Sequence, residues 1–268
     1  MKCNIKPCDR LEFDMRAKTT QRRRDELAEV LLRDGHINAS EQAALFGVSH
    51  ETIRKDIIYL ENIGLARKGY GGAVVSPEEA EQSFSEKYVE NQDQKRRIAV
   101  AARACIEEGD AILLDSGSTV YALARLLCVQ PAGVTVFTNS LKAAQLLQEG
   151  GVHTYLLGGR VRASSGAVTG TWALEQLSQI RVQKAFLGTS GFARRQGPCI
   201  ESFEEAQIKQ AMMACAQQKI LLGDSGKARR STLIQYACWQ ELDMMITDRG
   251  LDEETGKEIA QHVRVMTV

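Results

Sequence analysis

The stretch Val48-Ser49-His50-Glu51-Thr52-Ile53-Arg54-Lys55-Asp56-Ile57 carries the pattern that decides the fold of the first part of the chain. Ser49 is suited to begin a helix, because its hydroxyl can accept a hydrogen bond from a free backbone N–H. The apolar residues that follow recur at the spacing of one helix face, at Ile53, Ile57 and Leu60. The stretch therefore predicts a helix with one face for a core and the other for polar side chains.

Shorter elements around this helix predict a winged helix-turn-helix. The patterns predict helices over 20–34, 40–46 and 49–63, a short strand at His36-Ile37 and a glycine-rich β-hairpin over 65–75. Asn38 or Ser40 is the expected cap of the middle helix, and Gly47 allows the tight turn that follows it. Two helices joined by a short turn, with polar residues exposed on the second, form a DNA-binding motif. Double-stranded DNA is therefore the expected partner.

A set of side chains in this region is expected to contact DNA. They are Arg23, Ser49, His50, Thr52, Arg54, Lys55, Arg67 and Lys68. Those of the last helix would meet bases and phosphates, and those of the hairpin would reach the backbone. Arg23 lies in a run of arginines at a helix start, where positive charge is unfavourable for the helix dipole. A phosphate contact is its expected role, and a solvated basic helix end is the alternative.

Composition excludes several classes of protein. The 268 residues balance 34 basic against 34 acidic side chains, which excludes a polybasic protein that binds by charge alone. The seven cysteines are scattered without a C-x-x-C pair, so neither a disulfide framework nor a metal site is expected. The sequence shows no secretion signal and no apolar run of membrane-spanning length. A cytoplasmic protein without cofactor, metal or membrane contact is expected.

Residues of the helices and of the hairpin match one family in type and spacing. They are Arg23, Leu27, Leu31, then Ser49-x-x-Thr52-Ile53-Arg54-Lys55-Asp56-Ile57, and finally Gly71-Gly72-Ala73. In these positions the chain resembles the N-terminal signature of the DeoR family of bacterial transcriptional regulators. The resemblance implies a DNA-binding regulator, most often a repressor. It also fits a homo-oligomer, a dimer or tetramer, on repeated half-sites.

The composition changes along the chain and indicates four segments. They are a disordered tail over 1–18, the winged helix-turn-helix over 19–76, an acidic linker over 77–93 and a larger domain over 94–268. The linker starts at Pro77 and is rich in glutamate, which favours a partly extended segment that DNA repels. The sequence thus predicts a small DNA-binding domain joined to a larger second domain.

In the larger domain, strand-like and helix-like segments alternate. Strands are predicted at 111–114, 134–137, 152–157, 185–188, 220–222, 244–248 and 263–265, and helices at 95–107, 120–127, 141–149 and 203–217. The continuous apolar run over 111–114 is typical of a strand that is buried on both faces. Alternation of this kind predicts an α/β domain with a mostly parallel sheet.

Small and polar residues recur where these strands end, which is where open parallel sheets bind their ligands. They are Asp115, Gly117, Ser118, Thr119, Asn139, Gly158, Gly159, Gly188, Asp224 and Lys227. Gly117-Ser118-Thr119 at a helix start favours an anion such as phosphate, because backbone N–H groups and the helix dipole point to it. Neither a P-loop nor a dinucleotide-binding glycine motif is present, so no nucleotide is indicated. Each residue also has a structural explanation, as a turn glycine or a helix cap.

The helix predicted over 203–217 has a plain interpretation beside any role in a site. Its expected core residues are Phe203, Ile208 and Met212. Glu205 and Lys209 lie one helical turn apart, which favours a surface ion pair between them.

Motifs of the larger domain also match one family in order. They are Asp115-Ser116-Gly117-Ser118-Thr119, Thr138-Asn139, Gly158-Gly159, Phe186-Leu187-Gly188, Glu205-Ala206-x-x-Lys209 and Asp224-x-x-Lys227. Here the chain resembles the C-terminal effector domain of the DeoR family. The resemblance implies a fold similar to ribose-5-phosphate isomerase and CoA transferases. It also implies a site for a phosphorylated sugar or related metabolite that includes Glu205 and Lys209. The sequence departs from the family at Gly226, where serine is usual, and at Glu201-Ser202, where two threonines are usual.

The sequence favours a transcriptional regulator, expected to repress a carbohydrate-utilisation operon under control of such a metabolite. One alternative is a sugar-phosphate isomerase-like enzyme with a DNA-binding head, in which carboxylates and Lys227 would do acid–base chemistry. No histidine and no paired-carboxylate motif lies near the strand ends, so we expect no enzyme and no catalytic residues. Another alternative is a binding module whose pocket has lost its ligand.

Overall fold

A computed structural model of the chain describes residues 20, 22–31, 34, 36–62, 66–69, 71–75, 83–230, 232 and 234–268. The chain divides into two compact units, the first up to Glu81 and the second from Gln82. We call the first the head unit and the second the α/β unit. The tail predicted over 1–18 lies outside the described residues.

In its described part, the head unit consists of helices and one small sheet. The helices are α1 over 22–31, α2 over Ala39–Phe46 and α3 over His50–Asn62. The strands are β1 over His36–Asn38, β2 over Ala66–Gly69 and β3 over Gly72–Val75, in the antiparallel order β1-β3-β2. The predicted helix-turn-helix and hairpin are therefore present, and β1 adds a third strand to the hairpin.

Short polar side chains and one glycine set the ends of these helices. The Asn38 side chain caps α2, because it accepts a hydrogen bond from the Ser40 N–H at 3.0 Å. Gly47 ends α2 in the left-handed region, at φ 62°, which glycine adopts without strain. Ser49 precedes α3, and its hydroxyl accepts from the Thr52 N–H at 3.2 Å. The predicted cap of α3 is therefore confirmed, and Asn38 is the cap used for α2.

One apolar cluster holds the head unit together. It combines the predicted stripe of α3 with residues of α1 and β1, and its large buried side chains include Leu27, Leu31, Ile37, Ile53, Ile57 and Leu60. Full burial of one such side chain contributes about 1.5–3 kcal/mol. This cluster fixes α3 on the head unit and leaves the opposite side of α3 exposed.

The α/β unit alternates helices and strands along the chain. Its helices are α4 Phe84–Val89, α5 Gln92–Ala104, α6 Ser118–Val129, α7 Leu141–Glu149, α8 Thr171–Gln179, α9 Phe203–Cys215 and α10 Glu253–Ala260. Its strands are β4 Ala111–Leu114, β5 Thr135–Thr138, β6 His153–Leu156, β7 Arg160–Val161, β8 Val168–Thr169, β9 Val182–Gly188, β10 Gly191–Ala193, β11 Gly197–Ile200, β12 Ala216–Leu222, β13 Ile234–Gln235, β14 Met244–Thr247 and β15 Arg264–Thr267. Short 3-10 turns lie at Ser225–Arg229 and Trp239–Glu241.

Seven of these strands form one parallel sheet, in the order β15-β14-β12-β9-β4-β5-β6. Each of the predicted strands overlaps one of them, so the predicted parallel α/β fold is confirmed. At the centre of the sheet, Leu113 of β4 lies in register with Ala185 of β9 and Phe137 of β5. The antiparallel sheet β10-β11-β13 and the pair β7-β8 are additional, and the sequence patterns do not predict them.

Helices cover both faces of the parallel sheet. On one face, α5, α6 and α7 pack on strand residues such as Ile112 and Phe186. On the other face, α8, α9 and α10 pack on residues such as Leu113 and Leu187. Successive strand residues point to opposite faces, so a sheet covered on both sides needs the continuous apolar runs that the sequence shows. The sheet is the middle of three layers, and its strand ends meet at one edge.

Phe203 does not belong to the core as predicted. It is the first residue of α9 and is 76% exposed, whereas Ile208 and Met212 of the same helix are fully buried. Spacing along a helix predicts which residues share a face. Phe203 shares its face with Gln207 and Gln210, which are also exposed, whereas Ile208 and Met212 lie on the buried side of α9.

The second part of the predicted acidic linker is helical rather than extended. Ser83 caps α4 and forms a reciprocal capping box with Glu86, an arrangement that also places a negative charge where the helix dipole favours it. After α4, α5 begins at Gln92, ahead of the predicted start at residue 95. Residues 77–82 lie outside the described residues, and the boundaries of the segments stay a prediction.

Candidate functional site

The outer face of α3 carries polar side chains with few partners in the head unit. Its exposed residues include His50, Glu51, Arg54 and Lys55, and Thr52 is partly exposed. The Arg54 side chain is 59% exposed and lies 3.6 Å from the Glu51 carboxylate, a kind of contact that contributes about 0–1 kcal/mol. Arg54 is therefore available to a phosphate or a base edge at little cost.

Behind this face lies a buried carboxylate that holds two arginines. Asp56 of α3 accepts from the Arg23 Nε at 2.6 Å and from the Arg24 Nε at 2.9 Å. The Arg24 guanidinium also lies 4.0 Å from the centre of the Tyr59 ring. Arg23 is predicted to contact DNA, but its side chain is only 14% exposed and its charge is paired inside the head unit. This ion pair gives Arg23 a structural role, and its contact with DNA stays a prediction.

The hairpin residues with predicted DNA contacts lie on β2. In the antiparallel pairing with β3, Arg67 is opposite Val74 and Lys68 is opposite Ala73. The structure therefore places both in the body of the strand, on the wing of the helix-turn-helix.

At the carboxyl edge of the parallel sheet, a buried ion pair joins the ends of β4 and β9 to α9. The Lys209 ammonium contacts the Asp115 carboxylate and donates to the Gly188 carbonyl at 3.0 Å. Asp115 also accepts from the Gly188 N–H, and the Tyr236 hydroxyl donates to the Gly188 carbonyl, each at 2.8 Å. Asp115 is 1% and Lys209 is 2% exposed. The expected surface pair of Lys209 with Glu205 is therefore wrong.

Glu205 faces the β7–β8 hairpin instead. Its buried carboxylate lies 2.6 Å from Arg162 and accepts from the Ser165 hydroxyl at 2.7 Å. The neighbouring Glu204 contacts Arg160 of β7. Glu205 and Lys209 are one turn apart on α9 but contact different elements. The first turn packs on the β7–β8 hairpin, and the second turn packs on the ends of β4 and β9.

The predicted phosphate-binding segment forms the start of α6. Gly117 is the N-cap and its neighbours Ser118 and Thr119 are buried in the first turn. The first turn of a helix offers N–H groups that an anion can accept from. The Ser118 hydroxyl donates to the Lys87 carbonyl of α4 at 3.2 Å. A Cβ on Gly117 would lie 3.3 Å from the Gly188 Cα, so the two strand ends pack closely at this point.

Lysines from other elements surround the same region. Lys227 is buried in the 3-10 turn after β12, and burial lowers its pKa against the opposing effect of Asp224. Burial also lowers the pKa of Lys95 in α5 to about 8, again opposed by Asp224. Lys87 of α4 donates to the Ser190 hydroxyl at 3.4 Å, and its charge acts on Lys227. Cations that have lost part of their hydration favour an anionic ligand.

Asp224 and Asn139 each hold a buried side-chain oxygen without a hydrogen-bond partner among the described residues. The other Asp224 oxygen accepts from the Asn91 amide at 2.9 Å and from the Gly226 N–H at 3.1 Å. The Asn139 amide donates to the Val168 carbonyl at 3.3 Å. A buried acceptor that lacks a donor is costly. Each of these oxygens therefore remains able to accept a hydrogen bond from a donor outside the described residues.

The predicted glycines after β6 have packing reasons for their residue type. The Gly158 N–H donates to the Gln176 side chain at 2.9 Å. A Cβ on Gly159 would lie 2.5 Å from the Thr169 carbonyl oxygen, too close for any other residue without a backbone shift. Both glycines shape the edge of the sheet, and a ligand contact by either stays a prediction.

The structure adds polar residues that the sequence patterns do not single out. They are Lys87, Asn91, Lys95, Arg162, Ser165 and Tyr236. No local pattern marks them, and apart from Lys95 their partners are distant in the chain. Asn91 and Asp224, for example, are 133 positions apart.

Two family models match the chain along most of its length. The model of the DeoR-like helix-turn-helix domain matches residues 23–79, and the model of the DeoR C terminal sensor domain matches residues 90–249. The chain belongs to the DeoR family. The resemblance of both regions to that family is therefore confirmed.

Curated relatives of this DeoR-family chain are regulators. The HTH-type transcriptional repressor GlcR of Bacillus subtilis is 32% identical, over 83% of this chain and 86% of its own. The lactose phosphotransferase system repressor of Staphylococcus epidermidis is 32% identical, over 91% and 98% of the two chains. The HTH-type transcriptional regulator IolR of Bacillus subtilis is 30% identical, over 88% and 94%. The chain is thus a DNA-binding transcriptional regulator and not an enzyme, as predicted.

Two solved structures are similar to about half of the chain at low sequence identity. Ribose 5-phosphate isomerase A of Methanocaldococcus jannaschii has a TM-score of 0.39 and 19% identity, over 52% of this chain and 55% of that one. Translation initiation factor eIF-2B of Pyrococcus horikoshii OT3 has a TM-score of 0.43 and 14% identity, over 57% and 62%. Within the described residues, no helix has the length and apolar character to span a membrane, and no His, Cys, Asp or Glu cluster is suited to a metal ion.

Proposed function

We propose that this DeoR-family regulator represses a carbohydrate-utilisation operon and leaves its DNA when a phosphorylated sugar binds the α/β unit. The observation that carries the proposal is the contact of the first turn of α6 with Lys87, whose carbonyl also accepts from the Lys95 ammonium, with Lys227 near enough for its charge to act on Lys95. A helix start favours a phosphate, and nearby ammonium groups offset its charge. The names of the relatives, which include a lactose phosphotransferase system repressor, support the link to carbohydrates.

In the proposed effector site, different groups serve the two ends of the ligand. The phosphate binds at the first turn of α6, at Gly117, Ser118 and Thr119. Lys87, Lys95 and Lys227 lie nearby. The sugar hydroxyls donate to the unpaired oxygens of Asp224 and Asn139. The remaining predicted residues hold these groups in position, through the strand ends and α9; they are Asp115, Gly158, Gly159, Gly188, Glu205 and Lys209.

In the proposed DNA complex, α3 lies in the major groove and the β2–β3 hairpin lies on the backbone. Arg54 and Lys55 contact phosphates and bases, with His50 and Thr52 beside them, and Ser49 holds the start of the helix. One head of this size makes few contacts, and the net charge of the chain is zero. Adequate affinity therefore requires a homo-oligomer, a dimer or tetramer, that places two heads on adjacent half-sites.

The proposed assignment follows the segments predicted from the sequence, with DNA binding in residues 19–76 and effector binding and oligomerisation in residues 94–268. It places the protein in the cytoplasm, where both DNA and sugar phosphates are present. No cofactor or metal enters the proposed cycle.

Replacing Arg54 with alanine is expected to weaken DNA binding by about 5–150-fold, the range that corresponds to the loss of one base or phosphate contact of about 1–3 kcal/mol. Fluorescence anisotropy would measure this on a duplex selected by the wild-type protein from a random DNA pool. If Arg54 meets a phosphate, the slope of log affinity against log salt concentration is also expected to fall by about one.

Arg249→Ala is the matched control, because it removes the same charge from an exposed site in the α/β unit. Its affinity for the selected duplex should equal that of the wild type. Equal affinities for Arg54→Ala and Arg249→Ala would overturn the assignment of α3 to the DNA groove. Failure of the wild type to select any duplex would overturn the DNA-binding function itself.

A further inference from the structure

Helix α4 lies across the start of α6, where the proposed function places the phosphate. The Ser118 hydroxyl donates to the Lys87 carbonyl at 3.2 Å. The Lys87 ammonium lies 3.4 Å from the Ser190 hydroxyl and 3.7 Å from the Glu201 carboxylate. A phosphate on α6 would accept from Ser118 and would attract the Lys87 ammonium. It would therefore compete with the backbone contact and the side-chain contacts of Lys87 at once.

Further contacts fasten both ends of α4. At its start, Phe84 is buried and its N–H donates to the Ser164 carbonyl at 3.0 Å. At its end, the Lys95 ammonium of α5 donates to the Lys87 carbonyl and to the Glu90 carbonyl, the latter at 2.6 Å. These carbonyls belong to the last turn of α4, where a helix dipole favours a cation.

The turn between α4 and α5 is held in an uncommon conformation. Asn91 has φ 51°, and it is the one non-glycine residue with positive φ among those described. Its side chain donates to Asp224 at 2.9 Å. The second Asp224 oxygen is the buried acceptor without a partner among the described residues. A ligand that donates to Asp224 therefore acts on the residue that clamps this turn.

Helix α4 depends on these contacts because it has only six residues. Isolated helices below about 12–15 residues are marginally stable in water. We therefore expect α4 to lose helical structure when a ligand binds the groups that α4 contacts. Residues 76–82 join β3 of the head unit to the Ser83 cap of α4. Helix α4 is therefore the first helix of the α/β unit after the head unit along the chain.

We propose that residues 84–91 form a latch over the effector site, and that a phosphorylated effector opens the latch by taking the contacts of Lys87. Opening of the latch weakens binding to DNA. The inference rests on the proposed function, because it needs a phosphate at the start of α6.

Hydrogen exchange of the full-length protein tests the latch with inorganic phosphate as the probe. Phosphate is expected to speed exchange of the backbone amides of residues 84–91 by about five-fold or more, the lower end of usual coupling between sites. Thermal shift on the same samples would report whether phosphate binds. Slower or unchanged exchange in a protein that binds phosphate would overturn the latch and leave the proposed function in place.

Asn91→Ala tests the clamp, and Gln92→Ala is the matched control on the next, exposed position. Asn91→Ala loses the bond to Asp224 and should speed exchange of residues 84–90 without phosphate. It should also tighten phosphate binding by about five-fold, because less of the latch remains to be displaced. Gln92→Ala should behave as the wild type. Equal exchange and equal phosphate affinity in the two variants would contradict the latch.

Lys87→Gln provides a second test that does not alter the turn. It keeps the carbonyl that Ser118 donates to but removes the ammonium that the effector would attract. Phosphate should bind this variant more weakly and should no longer change the exchange of residues 84–91. A response equal to the wild type would overturn the role of Lys87. Absence of phosphate binding in the wild type and in Asn91→Ala alike would overturn the proposed function, and the latch with it.

Discussion

Replacing Lys209 with methionine is expected to lower the unfolding free energy of the α/β unit by about 3–5 kcal/mol, the usual cost of leaving a buried charge without its partner. Asp115 would keep its carboxylate in a site that is 1% exposed, with the Gly188 N–H as a remaining donor. Both tryptophans, Trp172 and Trp239, belong to the α/β unit. Urea unfolding followed by tryptophan fluorescence therefore measures this unit without a contribution from the head.

Two further variants test whether the loss of stability comes from the buried Asp115–Lys209 ion pair. Lys219→Met removes a lysine whose surface contact with Asp243 is 4.0 Å long, so its effect should stay within about 1 kcal/mol. The double variant Asp115→Asn with Lys209→Met should recover most of the loss, because asparagine is neutral and can still accept from Gly188. A loss below about 1 kcal/mol in Lys209→Met, or no recovery in the double variant, would contradict the structural role of this pair.

The second large effect is expected in the head unit, from Asp56→Ala. This substitution leaves Arg23 and Arg24 without the buried carboxylate that both contact. The expected loss is again about 3–5 kcal/mol. A domain as small as the head unit has little stability to lose, so the head is expected to be largely unfolded. Hydrogen exchange of residues 22–31 and 50–62 would detect this, while tryptophan fluorescence should report an intact α/β unit.

Glu51→Ala is the matched control for Asp56→Ala, because it removes an exposed carboxylate from the same helix. Its effect on stability should stay within about 0.5 kcal/mol. Comparison of Asp56→Ala with Arg54→Ala also distinguishes a loss of folding from a loss of DNA recognition. Arg54→Ala should lose DNA affinity with a folded head, whereas Asp56→Ala should lose both. Protected amides in the head of Asp56→Ala would show that the buried ion pair is not needed for the fold.

The sequence predicts much of this architecture because periodic patterns are local. The apolar runs at Ile112 and Phe186 mark strands that are covered on both faces, and the spacing of Ile53 and Ile57 marks the buried side of α3. The Ser49 cap likewise predicts where α3 begins. The sheet order β9-β4-β5 does not follow from such patterns, because it depends on how helices cross between strands.

The partners of charged residues are less predictable, since they are set by the fold rather than by neighbours in sequence. Lys209 pairs with Asp115, which is 94 positions away, and not with Glu205 in the adjacent turn. Arg23 meets Asp56 across 33 positions. Lys87 is also absent from the predicted site, in this case because its segment has the composition of a linker. In this protein, residue type and strand position indicate where a site lies, and only the fold shows which charges are already paired.

Release of DNA by a phosphorylated sugar tests the central claim most directly. The measurement is fluorescence anisotropy of the selected duplex with full-length protein, titrated with a panel of sugar phosphates and with the same sugars without phosphate. At least one phosphorylated sugar is expected to weaken DNA binding by about 5–150-fold, the usual range of coupling between two sites, and its unphosphorylated counterpart should have no effect. DNA binding that no phosphorylated sugar changes, or that the unphosphorylated sugar changes equally, would contradict the account.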